Sequence, residues 1–330
     1  MKIPPLLGHT RFIDSVAISP DRQWIASASM DETIGIWNAH TGSAIKQLLH
    51  GHKSAVTTVA FSPEEPWIAS GSRDTTVCIW DRASGQFSTV GPLFCHSAVT
   101  AVAFSPGGRH LAACDSEHIH LWHANTDQLF NEPLHTDNDY TESLCFTADG
   151  AQIVSAGSDR RVCIWNTGTA KLVRTLEGHT SRVRSVASSC DGRYIGSGSD
   201  DYTVRLWDAK TGAPVVTLYG HAHSVESIAF IPKQRSIMSC SFDETIRIWN
   251  IEKVLSAPSE EAEVGIAVLA STDLRRGWLL GPQGELLLWV PSEYQGNLSL
   301  PHTTLISKRR ITVSADAGEL HAGEDWTSCW

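Results

Sequence analysis

The stretch "GSGSDDYTVRLWD", residues 196–208, places two adjacent carboxylates, Asp200 and Asp201, between small residues and a tryptophan. Paired carboxylates can do acid–base chemistry, but this stretch recurs in altered form. Related stretches are "ASASMDETIGIWN" (26–38), "ASGSRDTTVCIWD" (69–81), "SAGSDRRVCIWN" (155–166) and "SCSFDETIRIWN" (239–250). The carboxylates therefore have to be interpreted as part of an internal repeat.

The spacing of the tryptophans defines the repeat. Six copies end at tryptophans that are 42 or 43 residues apart, and Trp289 follows 40 residues after the sixth; the six are Trp37, Trp80, Trp122, Trp165, Trp207 and Trp249. A Gly-His pair lies 28 residues before the tryptophan in four copies, with histidines at 9, 52, 179 and 221. Cys95-His96 replaces this pair in the third copy, and His135 is its offset counterpart in the fourth.

Each copy holds four short apolar runs separated by turn residues, such as "AVTTVAFS", "PWIASGS", "TVCIWD" and "QFSTV" in the second copy. Runs such as "TVCIW" are rich in β-branched residues and apolar on both pleat faces, which predicts strands buried on both sides. A single four-stranded unit cannot cover two apolar faces. We therefore expect neighbouring sheets to stack face to face in an all-β repeat protein.

A period of about 42 residues with Gly-His and a terminal Trp-Asp resembles the WD40-repeat β-propellers. The resemblance implies one propeller domain over residues 1–330, with six WD repeats in 8–250. We expect a divergent seventh blade at about 262–306, where Gln283 replaces the repeated aspartate, and a C-terminal tail at 307–330. Residues 3–7 are favoured as the N-terminal strand that closes the seven-bladed ring, with residues 302–306 as the alternative.

The resemblance also implies a buried network of His, Ser, Asp and Trp in each blade. The matching positions are His9, Ser27, Asp31 and Trp37; His52, Ser70, Asp74 and Trp80; Ser155, Asp159 and Trp165; His179, Ser197, Asp201 and Trp207; and His221, Ser239, Asp243 and Trp249. A buried indole N–H needs an acceptor, and a buried carboxylate needs donors. Asp201 is therefore expected to be structural, and we predict no catalytic residues, no cofactor and no enzyme activity.

The third copy, "LAACDSEHIHLWH" (111–123), departs from the pattern. Ala112 replaces the serine and Ser116 the aspartate, although Asp115 is adjacent, so this blade should be looser. His118 and His120 share a strand face with zinc-compatible spacing, and His123 is close by. The favoured interpretation is that these histidines are ordinary surface or inter-blade residues and that the protein has no metal site.

In WD40 propellers, partner contacts concentrate on the top face, at the start of the innermost strand and just before the structural aspartate. The resemblance places here Phe12, Asp14, Met30, Arg73, Tyr140, Glu142, Arg182, Arg184, Asp200, Glu226 and Phe242. Aromatic residues and arginine are enriched at binding hot spots. The predicted function is that of a non-catalytic scaffold or sensor which binds a polypeptide carrying both charge signs.

Composition narrows the alternatives. A net charge of −10 and a pI of about 5.8 disfavour nucleic acid, so an RNA-binding propeller depends on three arginines alone. A ubiquitin-ligase substrate receptor is a second alternative, although "WDRA" and "WDAK" do not match the Trp-Asp-x-Arg pattern of that class. With no signal peptide, no long apolar segment and eight scattered cysteines, we expect a cytoplasmic protein without membrane contact, and a nuclear location is compatible.

The C-terminal stretches "GWLLGPQGELLLWVP" (277–291), "HTTLISKRRITV" (302–313) and "DWTSCW" (325–330) show a narrower resemblance. They are similar to the end of WD-repeat regions in fungal (basidiomycete) NACHT receptors, a class of STAND NTPases. The sequence has no G-x-x-x-x-G-K-[ST] motif. We therefore expect a detached module, or a fragment of such a receptor, without the nucleotide switch.

Overall fold

The computed structural model describes residues 6–44, 48–86, 91–126, 128–136, 140–231, 235–256, 274–275, 278–280 and 286–289. Within these ranges the chain is built from antiparallel β-strands and one short helix, α1 (Ile251–Ser256). None of the helical structure in these ranges has the length and apolar character needed to span a bilayer.

Six consecutive antiparallel sheets form the blades, each with its strands in chain order from the innermost outward. Blade 1 contains β1 (Ile13–Ile18), β2 (Trp24–Ser29), β3 (Thr33–Asn38) and β4 (Leu49–His50). Blade 2 contains β5 (Val56–Phe61), β6 (Trp67–Ser72), β7 (Thr76–Asp81) and β8 (Leu93–Phe94). Blade 3 contains β9 (Ala101–Phe104), β10 (His110–Cys114), β11 (His118–His123) and β12 (Leu134–His135).

The second half of the repeat region continues the same order. Blade 4 contains β13 (Thr141–Phe146), β14 (Gln152–Gly157), β15 (Val162–Asn166) and β16 (Lys171–Leu176). Blade 5 contains β17 (Val183–Ser188), β18 (Tyr194–Ser199), β19 (Val204–Asp208) and β20 (Pro214–Leu218). Blade 6 has three described strands, β21 (Val225–Ile231), β22 (Ser236–Ser241) and β23 (Ile246–Asn250).

The prediction of seven blades is wrong, because the described residues form a six-bladed propeller. In the expected seventh region, β24 (Leu274–Arg275), β25 (Trp278–Leu280) and β26 (Leu286–Trp289) pair only as a small three-stranded sheet. That region has a tryptophan 40 residues after the sixth, but Gln283 replaces the turn aspartate that all six blades have at this position or one residue before it. Of the segments proposed to close a ring, residues 3–5 and 302–306 lie outside the described residues, as does the tail 307–330, and Leu6 and Leu7 are in no strand.

In blades 1, 2, 4 and 5 the Asp or Asn after the repeated tryptophan is a turn residue. The side chain of Asn38 accepts the backbone N–H of Thr41 at 2.9 Å, and that of Asp208 accepts the N–H of Thr211 at 2.7 Å. Such side-chain to backbone hydrogen bonds stabilise a tight turn between the third and fourth strands. Gly212 follows with a φ of +76°, a left-handed conformation that glycine adopts without a Cβ clash.

The hydrophobic core lies between neighbouring blades rather than inside one sheet. One cluster joins Val77 and Ile79 of blade 2 to Leu111 and Trp122 of blade 3. Both faces of the central strands are therefore covered, as their apolar runs predicted.

Innermost strands of adjacent blades are also joined by a recurring hydrogen bond. The N–H of Val59 donates to the hydroxyl of Ser15 in the preceding blade at 3.3 Å, and the N–H of Ile228 donates to Ser185 at 3.1 Å. Thr58 and Ser143 accept the corresponding bonds from the next blade. Ala101 occupies this position in blade 3 and has no hydroxyl to offer.

Candidate functional site

In blades 1, 2, 5 and 6 the four side chains named by the resemblance form one chain of hydrogen bonds. In blade 5, Trp207 Nε1 donates to Ser197 Oγ at 2.8 Å, and Ser197 Oγ lies 2.8 Å from His179 Nε2. His179 Nδ1 lies 2.8 Å from Asp201 Oδ2. An ionised carboxylate only accepts, so Nδ1–H donates to Asp201 and Nε2 accepts from the Ser197 hydroxyl.

The same chain of contacts recurs with nearly constant geometry. The histidine to serine distance is 2.7 Å in blades 1, 2 and 6, and the indole to serine distance is 2.8 or 2.9 Å. Ser197 and the His179 side chain are fully buried. A serine nucleophile has to meet its substrate, so the Ser-His-Asp arrangement of these blades has no catalytic geometry.

The aspartates of these networks are held ionised. Burial alone would raise the pKa of Asp31, but hydrogen bonds from the Thr33 hydroxyl, the Thr10 amide and His9 outweigh it and lower the pKa to about 2. The pKa of Asp201 and of Asp243 is lowered by the same opposing effects, with burial again the largest single influence. These carboxylates thus act as permanent acceptors for the top-face turns.

Blade 4 has only part of the network. Trp165 Nε1 donates to Ser155 Oγ at 2.8 Å, and the Arg161 amide donates to Asp159 at 3.0 Å. Burial raises the pKa of Asp159, since the bonds it receives offset only part of that effect. His135, the offset counterpart expected here, instead belongs to β12 of blade 3 and stacks on His118 with ring centroids 5.2 Å apart.

Blade 3 has no Gly-His pair, and His120 contacts the aspartate in place of the histidine of that pair. Asp115, one residue before the repeat position, takes the place of the aspartate and is fully buried. His120 Nε2 lies 3.0 Å from Asp115 Oδ2, and the His120 ring stacks on Trp122 with centroids 5.4 Å apart. His96 and His118 stack beside this pair, at 4.6 Å between ring centroids. His123 is separated from the cluster and packs on His110 at the other end of the strand pair.

The top face is the end of the blades where the second-to-third-strand turns meet the loops that enter each innermost strand. At blades 4 to 6 it carries an acid–arginine cluster of Glu142, Arg182, Arg184, Asp200 and Glu226. Arg184 Nε lies 2.7 Å from Asp200 Oδ1 and 3.5 Å from Glu226 Oε1, and its Nη1 lies 3.9 Å from Glu142 Oε2. Arg182 Nη1 lies 2.7 Å from Glu142 Oε1.

The two arginines differ in what they expose. The Arg184 side chain is only 15% exposed, whereas that of Arg182 is 41% exposed. Burial would lower the pKa of Arg184, but the surrounding carboxylates raise it, so the guanidinium stays charged. Arg184 therefore organises the acids around it, whereas much of the Arg182 side chain is open to solvent.

An aromatic trio borders this cluster. His223 lies between Tyr202 and Phe242, with ring centroids 5.6 Å from each. All three side chains are exposed, Tyr202 by 45% and Phe242 by 42%. Tyr202 follows the structural aspartate directly, and His223 lies in the loop that enters β21, so the trio adjoins Asp200.

The structure brings five of the proposed contact residues into the acid–arginine cluster and places Phe242 in the aromatic trio. Phe12, Asp14 and Met30 lie in blade 1, Arg73 in blade 2, and Tyr140 at the start of blade 4, with Phe12, Arg73 and Tyr140 exposed. Sequence reasoning missed Tyr202 and His223. The signal for Tyr202 was an aromatic residue directly after the repeated aspartate, where the other copies have Glu, Thr or Arg.

Comparison with known proteins agrees with this architecture. A 40-residue stretch is 45% identical to the Notchless protein homolog of Arabidopsis thaliana, which covers 12% of this chain and 8% of that protein. The family model described as "WD domain, G-beta repeat" matches six times, at residues 2–38, 43–81, 87–123, 131–166, 170–208 and 212–250. Each match ends one residue after a repeated tryptophan, and together the matches cover most of the sequence, so the chain belongs to the WD domain, G-beta repeat family.

Proposed function

We propose that this protein is a non-catalytic interaction module that binds a polypeptide across the top face of blades 4 to 6. Propellers of this family are in general protein-interaction scaffolds and typically not enzymes. The observation that carries the proposal is the contiguity of the acid–arginine cluster and the exposed aromatic trio. Charged and aromatic groups side by side suit a partner that offers both a charge and an apolar side chain.

The charges select the partner's chemistry. Two guanidinium groups face three carboxylates in the cluster, which leaves one negative charge in excess. A lysine or arginine of the partner would compensate that charge. Arg182 is exposed enough to bind an acidic group of the partner at the edge of the same surface. A peptide with both charge signs therefore fits better than a uniformly charged one, since charge complementarity sets specificity.

The aromatic trio supplies the contact area. Aromatic side chains bury large surfaces at low entropic cost and attract cations to their faces. Tyr202 and Phe242 also start from substantial exposure, so a partner can remove much of their surface from water. We expect these two residues to contribute most of the affinity.

The test is a comparison of peptide affinities. Peptides are selected from a random phage-displayed library on the full chain, and the dissociation constant of the best peptide is measured by fluorescence anisotropy. The double variant Tyr202→Ala/Phe242→Ala should weaken binding by at least about tenfold, or ~1.4 kcal/mol. The control is Phe94→Ala, which removes a 72% exposed aromatic from the outer strand of blade 2.

The control variant should bind like the original chain. Equal affinity of the double variant and the original chain would show that the peptide binds elsewhere. Failure to select any peptide from a diverse library would argue against a polypeptide ligand altogether.

A further inference from the structure

We infer that the top of blade 3 binds a divalent transition-metal ion, zinc by its ligand chemistry, through His96, Asp115 and His118. One ligand atom from each of these side chains lies within 4.8 Å of the other two. The three residues come from different parts of the blade: the loop before β9, the first position after β10 and the start of β11. The site is separate from the acid–arginine cluster of blades 4 to 6.

The strongest geometric sign is the gap between His118 and Asp115. His118 Nδ1 is buried, has no hydrogen-bond partner, and lies 3.7 Å from Asp115 Oδ1. That distance is too long for a hydrogen bond. Two ligands on one tetrahedral zinc, with bonds of about 2.0–2.1 Å, lie roughly 3.3–3.4 Å apart. A shared ion would satisfy the orphaned nitrogen with a small movement.

Asp115 is held in position by the His120 ring and by backbone amides, none of which would bind the metal. Its Oδ2 accepts from His120 at 3.0 Å and from the His96 amide at 2.9 Å, and its Oδ1 accepts the amides of Glu117 and His118 at 3.1 and 2.9 Å. Such outer contacts orient a ligating carboxylate and are typical of metal sites. His120 thus holds Asp115 in place in this blade, as the Gly-His histidine holds the aspartate in others.

The donor set also favours zinc over magnesium or calcium. Two imidazoles and one carboxylate suit zinc and its neighbours, whereas the hard cations prefer oxygen alone. His96 is exposed, so solvent can fill the fourth position.

The test measures zinc binding to the full chain, produced without a polyhistidine tag and purified without metal columns. Equilibrium dialysis with elemental analysis should find one zinc per chain. Cobalt substitution should give the intense visible absorption of a tetrahedral ion. His96→Ala and His118→Ala should each weaken zinc binding by more than about tenfold. Their circular dichroism should match that of the original chain, because both residues lie at the accessible edge of the cluster.

His135→Ala is the matched control, because it removes an exposed ring that stacks on His118 without supplying a ligand. It should retain zinc with unchanged stoichiometry. The inference is overturned if the original chain binds no zinc, cobalt, nickel or copper stoichiometrically. It is equally overturned if both ligand variants bind zinc as tightly as the control.

Discussion

Ser197 shows how one hydroxyl connects a strand to a turn. Its oxygen accepts a hydrogen bond from Trp207 Nε1 and its hydroxyl donates one to His179 Nε2, so removing it leaves two buried polar groups without a partner. Each unsatisfied buried group costs about 1–3 kcal/mol. Ser197→Ala should therefore lower the free energy of unfolding by at least about 1 kcal/mol in urea titrations.

Ser188→Ala in the same blade is the comparison for this change. Its half-buried hydroxyl has only a 3.5 Å contact with the carbonyl of Ser189, so the loss should stay within about 0.5 kcal/mol. Similar losses for the two variants would contradict the assignment of Ser197 as the junction of the network.

Asp31 and Asp159 should respond to pH in opposite directions. The folded pKa of Asp31 is about 2, below its reference value of 3.8, so its stabilising effect is complete above pH 4 and is lost as pH falls towards 2. The destabilisation caused by Asp31→Asn should shrink over that window. The folded pKa of Asp159 is raised, so its ionisation opposes folding as pH rises through that value.

The free energy of unfolding of Asp159→Asn, relative to that of the original chain, should therefore be highest at neutral pH. This relative gain should disappear in acid, where Asp159 is protonated in the original chain. Unfolding free energies of both variants between pH 2 and 7 provide the check. Parallel pH profiles for Asp31→Asn and Asp159→Asn would contradict the difference between complete and partial networks.

At the scale of the element, the turn between the second and third strands contains a strained residue. The position after the aspartate has a positive φ in five blades, and in blade 2 it is Thr75 with a φ of 69°. A β-branched residue in this region is unfavourable by roughly 1–2 kcal/mol, while glycine is not. After the greater unfolded-state entropy of glycine is subtracted, Thr75→Gly should stabilise the protein by about 0.5–1 kcal/mol.

Thr76→Gly tests the same turn one residue later. Thr76 is the first residue of β7, and its hydroxyl donates to Asp74 at 2.6 Å. Loss of this side chain should therefore destabilise the protein. Thermal melts of both variants should shift in opposite directions. A lower melting temperature for Thr75→Gly would show that the turn is not strained by its side chain.

The sequence predicted most elements, because tryptophan spacing and turn residues are local signals. It did not predict what depends on neighbouring blades. Arg184 looked like a free contact residue, yet three carboxylates from blades 4, 5 and 6 surround it. The role of His120 was also hidden, since only folding shows that Asp115 rather than Ser116 points towards it.

At the scale of the whole molecule, a periodic tryptophan was not sufficient evidence for a blade. Trp289 follows the sixth tryptophan by 40 residues, but Gln283 stands where each of the six blades has an aspartate at that position or one residue before it. The described strands of this region form a small separate sheet. The turn aspartate, more than the period, therefore distinguishes the six blades of this propeller.

We propose that the buried networks have a structural role and that binding is confined to the top face of blades 4 to 6. Amide hydrogen exchange of the full chain, with and without its selected peptide, tests this division most directly. We predict slower exchange at residues 199–203, 221–225 and 241–245 on the top face, and no change at residues 81–86 and 208–213 on the opposite face. Protection confined to the opposite face would contradict the account.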